Sequence, residues 1–385
     1  LARMNSLPTE FFKPYILPLS ALKKCSIYII ENYDKQKILI AVVDLICAVL
    51  LYCSYVVYAF KSLQKETIDV SELAVIIPVL VVNTQTIMKT TIVYLKRHKL
   101  RTLILNIGDI WRTDENLSKV QVEKKKKSLK DLNFWTKVFY YSNFFGSLYY
   151  MFTPLIIAAF QNFVQQKDIE WPFPFVCSWP FDPRRNTLVF IATYVFEVFA
   201  MWRVVFSYLG CEVLMITLCG QLSVEFTHLH EDILNINVDK KTNEGVKSIA
   251  EFCRRHQQMI VLSQQFDEIF NVMVFVNLFF AHITICFFCL SAKIIKDVTE
   301  KCSNVIGAVT SVLPIYMLCY YCELLNTSSS EIMDAAYSSL WYRSDIIHQK
   351  KILFILLRSS RPSCLRSLKF PVTLNTFSNV RILHF

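Results

Sequence analysis

The chain has 385 residues, of which 54% are hydrophobic, 14% aromatic and only 19% charged, and its formal net charge is +10. A soluble domain of this size would be about 45–50% apolar and about 25% charged, so this composition favours an integral membrane protein with several spans. Its 6 glycines and 12 prolines argue against a fibrous or disordered chain, and in a membrane protein the positive charge indicates cytoplasmic loops rather than a nucleic-acid partner.

Six segments are long and apolar enough for a helix to cross the lipid bilayer, which takes about 20 residues. In chain order they are 38–58, 73–94, 135–159, 187–218, 272–295 and 305–325. The fourth is longer than one crossing and must tilt or extend into water. A seventh apolar stretch, 370–385, would give only about 24 Å of helix against a hydrocarbon core of about 30 Å. We therefore predict one all-α, polytopic membrane domain over 1–385, with seven transmembrane helices of which the last is incomplete.

Lys and Arg are distributed unevenly between the two sets of loops. One set holds 29 of them and the other holds 8. The richer set comprises 1–37, 95–134, 220–268 and 326–369. Because basic residues favour cytoplasmic loops, we predict that the N-terminus is inside and the C-terminus outside, the reverse of a G-protein-coupled receptor. Apolar residues recur at helical spacing in these cytoplasmic stretches, so we expect long helices that project below the bilayer and form an anchor region.

Charged residues also occur inside the predicted spans, where an unpaired charge costs several kcal/mol. They are Asp44, Lys89, Glu197, Arg203 and Glu212. Two interpretations stay open: these side chains pair between helices or reach the membrane surface, or some of them line a ligand cavity or an ion path.

Aromatic residues are concentrated in the third and fourth predicted spans. Many of them are tyrosines, and a buried tyrosine hydroxyl requires a hydrogen-bond partner. Small residues beside them leave room for a cavity, and an apolar cavity with a few hydroxyls suits a small, weakly polar ligand. The candidate ligand-binding residues are Gly146, Ser147, Tyr149, Tyr150, Met201 and Trp202. The alternative interpretation is that these side chains face lipid.

Motifs of enzymes and metal sites are not found in the sequence. It contains neither a Gly-rich phosphate loop, nor Gly-x-Ser-x-Gly, nor His-Glu-x-x-His. Cys286-x-x-Cys289 and Cys319-x-x-Cys322 have the spacing of zinc ligands, but both pairs lie in apolar spans. Free cysteine behaves as a small hydrophobic residue there, so we predict no enzyme, no cofactor and no metal.

The C-terminal region carries an ordered set of motifs. They are Tyr320-Tyr321-Cys322-Glu323-Leu324-Leu325-Asn326, Ala335-Ala336-Tyr337-Ser338-Ser339-Leu340-Trp341-Tyr342, the amphipathic segment 350–358, Lys369-Phe370-Pro371 and Leu374-Asn375-Thr376-Phe377. This set closely resembles the C-terminal signature of insect odorant receptors. The remaining spans resemble that family mainly in length and placement.

The resemblance implies a ligand-gated, non-selective cation channel for small volatile odorants in the plasma membrane of olfactory sensory neuron dendrites. Such proteins form tetramers, usually with a shared odorant co-receptor, and their ligands bind between helices two, three, four and six. The resemblance implies that Tyr337, Trp341 and Tyr342 lie in the anchor region where subunits meet. It also implies that Leu374, Thr376 and Phe377 lie at the start of the pore-lining helix. Only eight residues follow Phe377, so we expect the gate and filter positions to be absent.

Two other functions stay open from the sequence. A gustatory receptor shares the architecture, although its usual Thr-Tyr-x5-Gln-Phe motif is not found here. A membrane transporter would use Asp44, Glu197 and Arg203 along its path. Ligand-evoked current with an ohmic current–voltage curve would favour a channel, whereas saturating accumulation of substrate would favour a transporter.

Overall fold

The computed structural model describes residues 7–31, 33–65, 70–166, 170–235, 243–294, 298–339, 341–343 and 345–382. Its helices are α1 (Thr9–Phe12), α2 (Ile16–Lys24), α3 (Lys35–Leu63), α4 (Val70–Leu95), α5 (Arg97–Ile110), α6 (Lys119–Phe163), α7 (Thr187–Leu234), α8 (Asn243–Ile294), α9 (Val298–Ser338), α10 (Ile346–Ser359) and α11 (Leu374–Ile382). Short 3₁₀ helices occur at Lys13–Tyr15, Asp114–Asn116 and Trp341–Arg343. An antiparallel hairpin pairs β1 (Arg366–Ser367) with β2 (Phe370–Pro371). The predicted all-α class is confirmed.

Six of these helices are long and apolar enough to cross a membrane, namely α3, α4, α6, α7, α8 and α9. They contain the six predicted spans, apart from position 295, which lies outside the described residues. The expectation of long helices that extend beyond the bilayer is also confirmed. Helix α7 has 48 residues and is therefore about 72 Å long, more than twice the thickness of the hydrocarbon core.

The seventh helix begins later than the sequence suggested. The predicted span starts at position 370, whereas Phe370 and Pro371 form β2 and helix α11 begins at Leu374. A residue before proline is held in extended backbone, which excludes Phe370 from a helix. Val372, which follows Pro371, continues the extended segment, because its N–H donates to the carbonyl of Leu365 at 3.0 Å.

Helix α7 is the centre of the molecule. Every residue from Leu209 to Phe226 is buried, as expected for a helix that is surrounded by others. Helices α2, α3, α4, α6, α8 and α9 all pack against it. Two glycines allow the closest approaches: a Cβ at Gly210 would lie 2.6 Å from Leu22 of α2, and one at Gly220 would lie 2.9 Å from Leu132 of α6.

The charges in the predicted spans pair between elements. Lys89 of α4 forms an ion pair with Glu212 of α7, and Asp44 of α3 forms one with Arg203 of α7. Glu197 accepts a hydrogen bond of 2.9 Å from the indole N–H of Trp179. For the four residues of the two ion pairs, the first interpretation, pairing between helices, is the one that the structure shows. Glu197 bonds instead to a residue of the loop before α7.

Two further polar residues extend the Lys89–Glu212 pair. The side-chain amide of Asn277, on α8, donates to Glu212 at 3.1 Å, and that of Gln85, on α4, donates to the side-chain oxygen of Asn277 at 3.2 Å. All four side chains are buried. We call Gln85, Lys89, Glu212 and Asn277 the buried polar network. It connects α4, α7 and α8, because each of its hydrogen-bonding groups has a partner on a different helix.

The N-terminal segment is fixed by one lysine at the predicted cytoplasmic end of α6. The ammonium group of Lys125 donates to Glu10 at 2.9 Å, to Asp114 at 3.0 Å and to the carbonyl of Arg112 at 2.9 Å. Its side chain is completely buried. All three donor sites of the ammonium group are thereby used, which compensates for its removal from water.

We expect Lys125→Met to lower the free energy of unfolding by about 2–3 kcal/mol, because three charge-assisted contacts are lost while both carboxylates remain partly hydrated. Thermal melting of the purified protein in detergent measures this loss. Lys126→Met is the matched control: Lys126 contacts the same Asp114 at 3.2 Å, but its side chain is 63% exposed. An equal loss of stability in both variants would contradict the assignment.

Candidate functional site

A cavity of about 160 Å³ lies between the membrane helices. Its wall consists of Pro78, Val79 and Val82 of α4; Asn143, Gly146, Ser147, Tyr150 and Met151 of α6; Met201, Val204, Val205, Tyr208 and Leu209 of α7; Phe288 of α8; Ile306, Gly307, Thr310 and Ser311 of α9; and Phe175 of the loop before α7. None of these residues is charged. Drug-sized ligands occupy pockets of roughly 300–1,000 Å³, so this cavity suits a smaller molecule.

Four of the six candidate ligand-binding residues lie in this wall, namely Gly146, Ser147, Tyr150 and Met201. Tyr149 is not in the wall, and its ring meets that of Tyr150 edge-on at 6.3 Å between centroids.

Trp202 also lies outside the wall and packs against Phe144 and Phe206, with centroid distances of 5.0 and 5.3 Å. Successive residues of a helix point about 100° apart, so the side chains of Trp202 and Met201 point in different directions. The same spacing separates Tyr149 from Tyr150.

Helix α9, which contains the sixth predicted span, supplies wall residues that were not among the six candidate residues. Gly307 allows α9 to approach, because a Cβ there would lie 2.6 Å from Phe288 and 2.7 Å from the hydroxyl oxygen of Tyr150. Opposite, a Cβ at Gly146 would lie 3.4 Å from the methyl group of Thr310. The sequence feature that indicates this contact is the pair Gly307 and Ser311, because small residues four positions apart allow two membrane helices to pack closely.

The serine and threonine hydroxyl groups in the wall donate hydrogen bonds within their own helices. Ser147 donates to the carbonyl of Asn143 at 2.8 Å, and Ser311 donates to that of Gly307 at 2.8 Å. Thr310 donates to the carbonyl of Ile306 at 3.0 Å. Their oxygen lone pairs remain as acceptors. The cavity can therefore hold a mostly apolar molecule and accept a hydrogen bond from a single hydroxyl group on it.

The buried polar network adjoins this cavity. Tyr208 lines the wall, and the ammonium nitrogen of Lys89 lies 4.2 Å from the centroid of its ring. Such a cation–π contact is stronger when both groups are removed from water. A ligand that displaces the Tyr208 ring would therefore act directly on the ion pair between Lys89 and Glu212.

The predicted subunit-contact residues lie on the cytoplasmic part. Tyr337 is 70% exposed and Tyr342 is 58% exposed, whereas Trp341 packs partly against the core. Helix α10 presents an exposed apolar face that contains Leu353, Phe354 and Leu357. Exposed apolar residues that cluster in this way mark interaction surfaces.

The start of the predicted pore helix is attached to α9. The N–H of Leu374 donates to Glu323 at 3.2 Å, which places a carboxylate at the N-terminus of α11, where the helix dipole favours it. The hydroxyl oxygen of Thr376 accepts from the N–H of Thr373 at 3.1 Å. Phe377 meets Tyr316 of α9 at 5.5 Å between ring centroids. Within the described residues, no group of three or more metal-ligating side chains occurs.

Known proteins are similar to this chain in sequence over much of its length. Residues 69–383 match the family described as 7tm Odorant receptor. Odorant receptor 67c of Drosophila melanogaster is 24% identical over 295 residues, which cover 73% of this chain and 70% of that protein. Odorant receptor 85f of the same organism is 21% identical over 336 residues, which cover 84% and 82%.

Two solved structures of one receptor have the same fold. The olfactory receptor OR5 of the insect Machilis hrabei, in complex with eugenol, matches with a TM-score of 0.80 at 14% identity, covering 97% of this chain and 95% of that one. The structure described without eugenol matches with a TM-score of 0.79. The family match covers most of the sequence and the solved structures share the fold, so this chain belongs to the insect odorant receptor family.

Proposed function

We propose that this odorant receptor is a subunit of a ligand-gated, non-selective cation channel and that its ligand occupies the cavity between α4, α6, α7, α8 and α9. The observation that carries the proposal is the cavity itself, which is small and uncharged. Its ligand class is a small volatile molecule that is mostly apolar and has at most one or two polar groups. The OR5 complex with eugenol supports this assignment, since eugenol is a ligand of that kind.

The physical basis of activation is differential binding. An apolar ligand gains about 25 cal/mol per Å² of apolar surface removed from water. It opens a channel only if it binds the open arrangement of the helices better than the closed one. The cavity wall draws on five helices and adjoins the buried polar network, so a change in their packing alters both the ligand contacts and the contacts between helices.

The proposed partner is the odorant co-receptor, in a hetero-tetramer in the plasma membrane of olfactory sensory neuron dendrites. The exposed side chains of Tyr337 and Tyr342 and the apolar face of α10 support an assembly through the cytoplasmic region. A surface of this kind is more costly to leave in water than to bury against another subunit.

The experiment is co-expression with the co-receptor, followed by calcium imaging and current recording against a panel of volatile ligands. A ligand-evoked current with an ohmic current–voltage relation is the expected result. Substrate accumulation that saturates, without any such current, would contradict the channel and favour a transporter.

We expect Gly146→Ala to reduce sensitivity to the largest active ligands about tenfold, with little change for the smallest. The added methyl group enters the cavity, and one methyl or methylene group in an apolar pocket changes affinity by roughly 10–200-fold. The contact of 3.4 Å to Thr310 shows that the helix can accept this methyl group with a small adjustment. Dose–response curves for a homologous series of alcohols measure the effect.

The control for this prediction is Ser142→Val, which adds bulk on the exposed side of the same helix. Its dose–response curves should match those of the unmodified receptor. If Gly146→Ala leaves the size preference unchanged at normal surface expression, the cavity is not the ligand site.

A further inference from the structure

A second cavity, of about 350 Å³, lies on the predicted cytoplasmic side, between α8 and the segment that joins α10 to α11. Three arginines line it, namely Arg358, Arg361 and Arg366, together with a single acidic residue, Asp267. The wall therefore carries a surplus of two positive charges. Like charges around one cavity repel each other unless an anion lies between them.

Two of these arginines have no acidic partner. Within the described part of the chain, neither Arg358 nor Arg361 forms an ion pair, and one guanidinium N–H of Arg358 donates to the backbone carbonyl of Arg361 at 2.9 Å. Arg366 is the exception, since its side chain lies 3.9 Å from Asp267. A guanidinium group has five N–H donors, so most of those at Arg358 and Arg361 remain available to a ligand.

A buried hydroxyl group in the same wall also lacks a partner. Ser263 lines the cavity, its side chain is only 4% exposed, and its oxygen forms no hydrogen bond to any described residue. Leaving a buried polar group without a partner costs about 1–3 kcal/mol. This oxygen is therefore the second, independent indication of a polar ligand in the cavity.

The backbone around the cavity is held in place. The N–H of Arg366 donates to Asp267 of α8 at 2.8 Å, and the N–H of Ser363 donates to Ser329 of α9 at 2.8 Å. His256 adds no charge, because burial and the nearby Arg358 lower its pKa to about 4. The positive charge of the cavity is thus independent of pH near neutrality.

We propose that this cavity binds a phosphate monoester, with the three arginines as charged donors and Ser263 as a neutral donor. Guanidinium groups match phosphate oxygens in pairs, which makes arginine the preferred residue for such ligands. The cavity volume exceeds that of one phosphate group and accommodates a ring that carries several of them. The predicted fifth span begins at position 272, only five residues or about 8 Å beyond Asp267, so a lipid headgroup and a free inositol phosphate both reach the site.

A phosphate ligand bound in this cavity would connect α8 to the segment that leads into α11. Arg366 is the first residue of β1, and the hairpin of β1 and β2 leads directly to Leu374, the first residue of α11. A ligand held by Arg361 and Arg366 on one side and by Ser263 on the other fixes that segment against α8. The site is separate from the odorant cavity and does not depend on the proposed channel activity.

The test measures binding to the purified full-length receptor without an odorant. Inositol 1,4,5-trisphosphate and inorganic phosphate are added to the protein in detergent, and thermal melting and titration calorimetry are recorded. In a second arm, nanodiscs contain either phosphatidylinositol 4,5-bisphosphate or phosphatidylserine at equal total charge. Stabilisation by the soluble trisphosphate identifies a free ligand, stabilisation only by the phosphoinositide identifies a lipid headgroup, and both support the proposal.

Three variants decide whether the ligand occupies this cavity. Arg361→Gln and Ser263→Ala should each weaken binding about tenfold, the effect of one hydrogen bond to a charged group. The control Lys350→Gln removes one exposed positive charge from α10, outside the cavity, and should bind as the unmodified receptor does. Ser263→Ala should melt no lower than the unmodified receptor without ligand, because it removes a hydroxyl that has no partner.

Three results would overturn the proposal. The first is that neither the trisphosphate nor the phosphoinositide stabilises the receptor. The second is that Lys350→Gln weakens binding as much as Arg361→Gln, which indicates attraction to the overall charge. The third is that an acidic, unphosphorylated peptide binds the receptor while both phosphate probes fail, which would make the cavity a protein-docking site.

Discussion

Lys89→Met should remove most of the receptor from the cell surface. The side chains of Lys89 and Glu212 are 0% and 1% exposed, so the substitution leaves a carboxylate buried without its counter-ion. Removing one partner of a buried ion pair costs about 3–5 kcal/mol, a large part of the 5–15 kcal/mol that typically separates folded from unfolded protein. Surface biotinylation and thermal melting in detergent measure the loss.

The double variant Lys89→Met with Glu212→Gln tests the cause. It removes both charges, and the glutamine can still accept the hydrogen bond from Asn277. Much of the stability should return, since an uncharged pair of similar size has no desolvation cost to offset. A double variant that is as unstable as the single one would show that the charge pair is not the cause. Arg184→Met breaks a largely exposed pair with Glu170 and should be neutral.

Tyr150→Ala should change the ligand profile more than any other single substitution in the cavity wall. The phenol ring fills the space between α6 and α9, where its hydroxyl oxygen would lie 2.7 Å from a Cβ at Gly307. Truncation enlarges the cavity and removes contacts with small ligands. Sensitivity to these ligands should fall about a hundredfold, while bulkier analogues gain relative to them. Odorant dose–response curves, normalised to surface expression, measure the shift.

Tyr149→Ala is the matched control for this prediction. It removes the same group from the neighbouring residue, which lies outside the cavity wall. The ligand order should therefore stay as in the unmodified receptor. An unchanged ligand order in Tyr150→Ala at normal surface expression, or an equal change in both variants, would exclude Tyr150 from the ligand site.

The sequence predicted the helices well because their signal is local. A run of about 20 apolar residues forms a helix in a membrane whatever surrounds it, since its backbone groups need partners within the segment. Residue types left open whether the charges in the spans pair between helices or line a cavity. They also did not identify which residues pair. Lys89 and Glu212 are 123 positions apart in the sequence, and only the packing of α4 against α7 brings these two side chains together.

The candidate site was predicted in part, for reasons of geometry. Aromatic content pointed to α6 and α7 and included Tyr149 and Trp202, which lie outside the cavity wall and whose rings pack against other aromatic side chains. The resemblance implied the sixth helix, α9, but its wall residues were not identified, because Gly307 and Thr310 resemble ordinary residues of a membrane span. The start of α11 was misplaced because Pro371 acts through the backbone of its neighbours, which an apolar pattern does not reveal.

The arrangement of α7 has a consequence for how such receptors diversify. The segment from Leu209 to Phe226 is buried against the neighbouring helices. Most of the cavity-wall residues of α7 precede this segment in the chain. Under the proposed function, mutations of these wall residues change the ligand preference, and they fall largely outside the segment on which folding depends. Single substitutions in such a wall can change the ligand preference while the fold is retained. The fold itself is shared with OR5 at only 14% sequence identity.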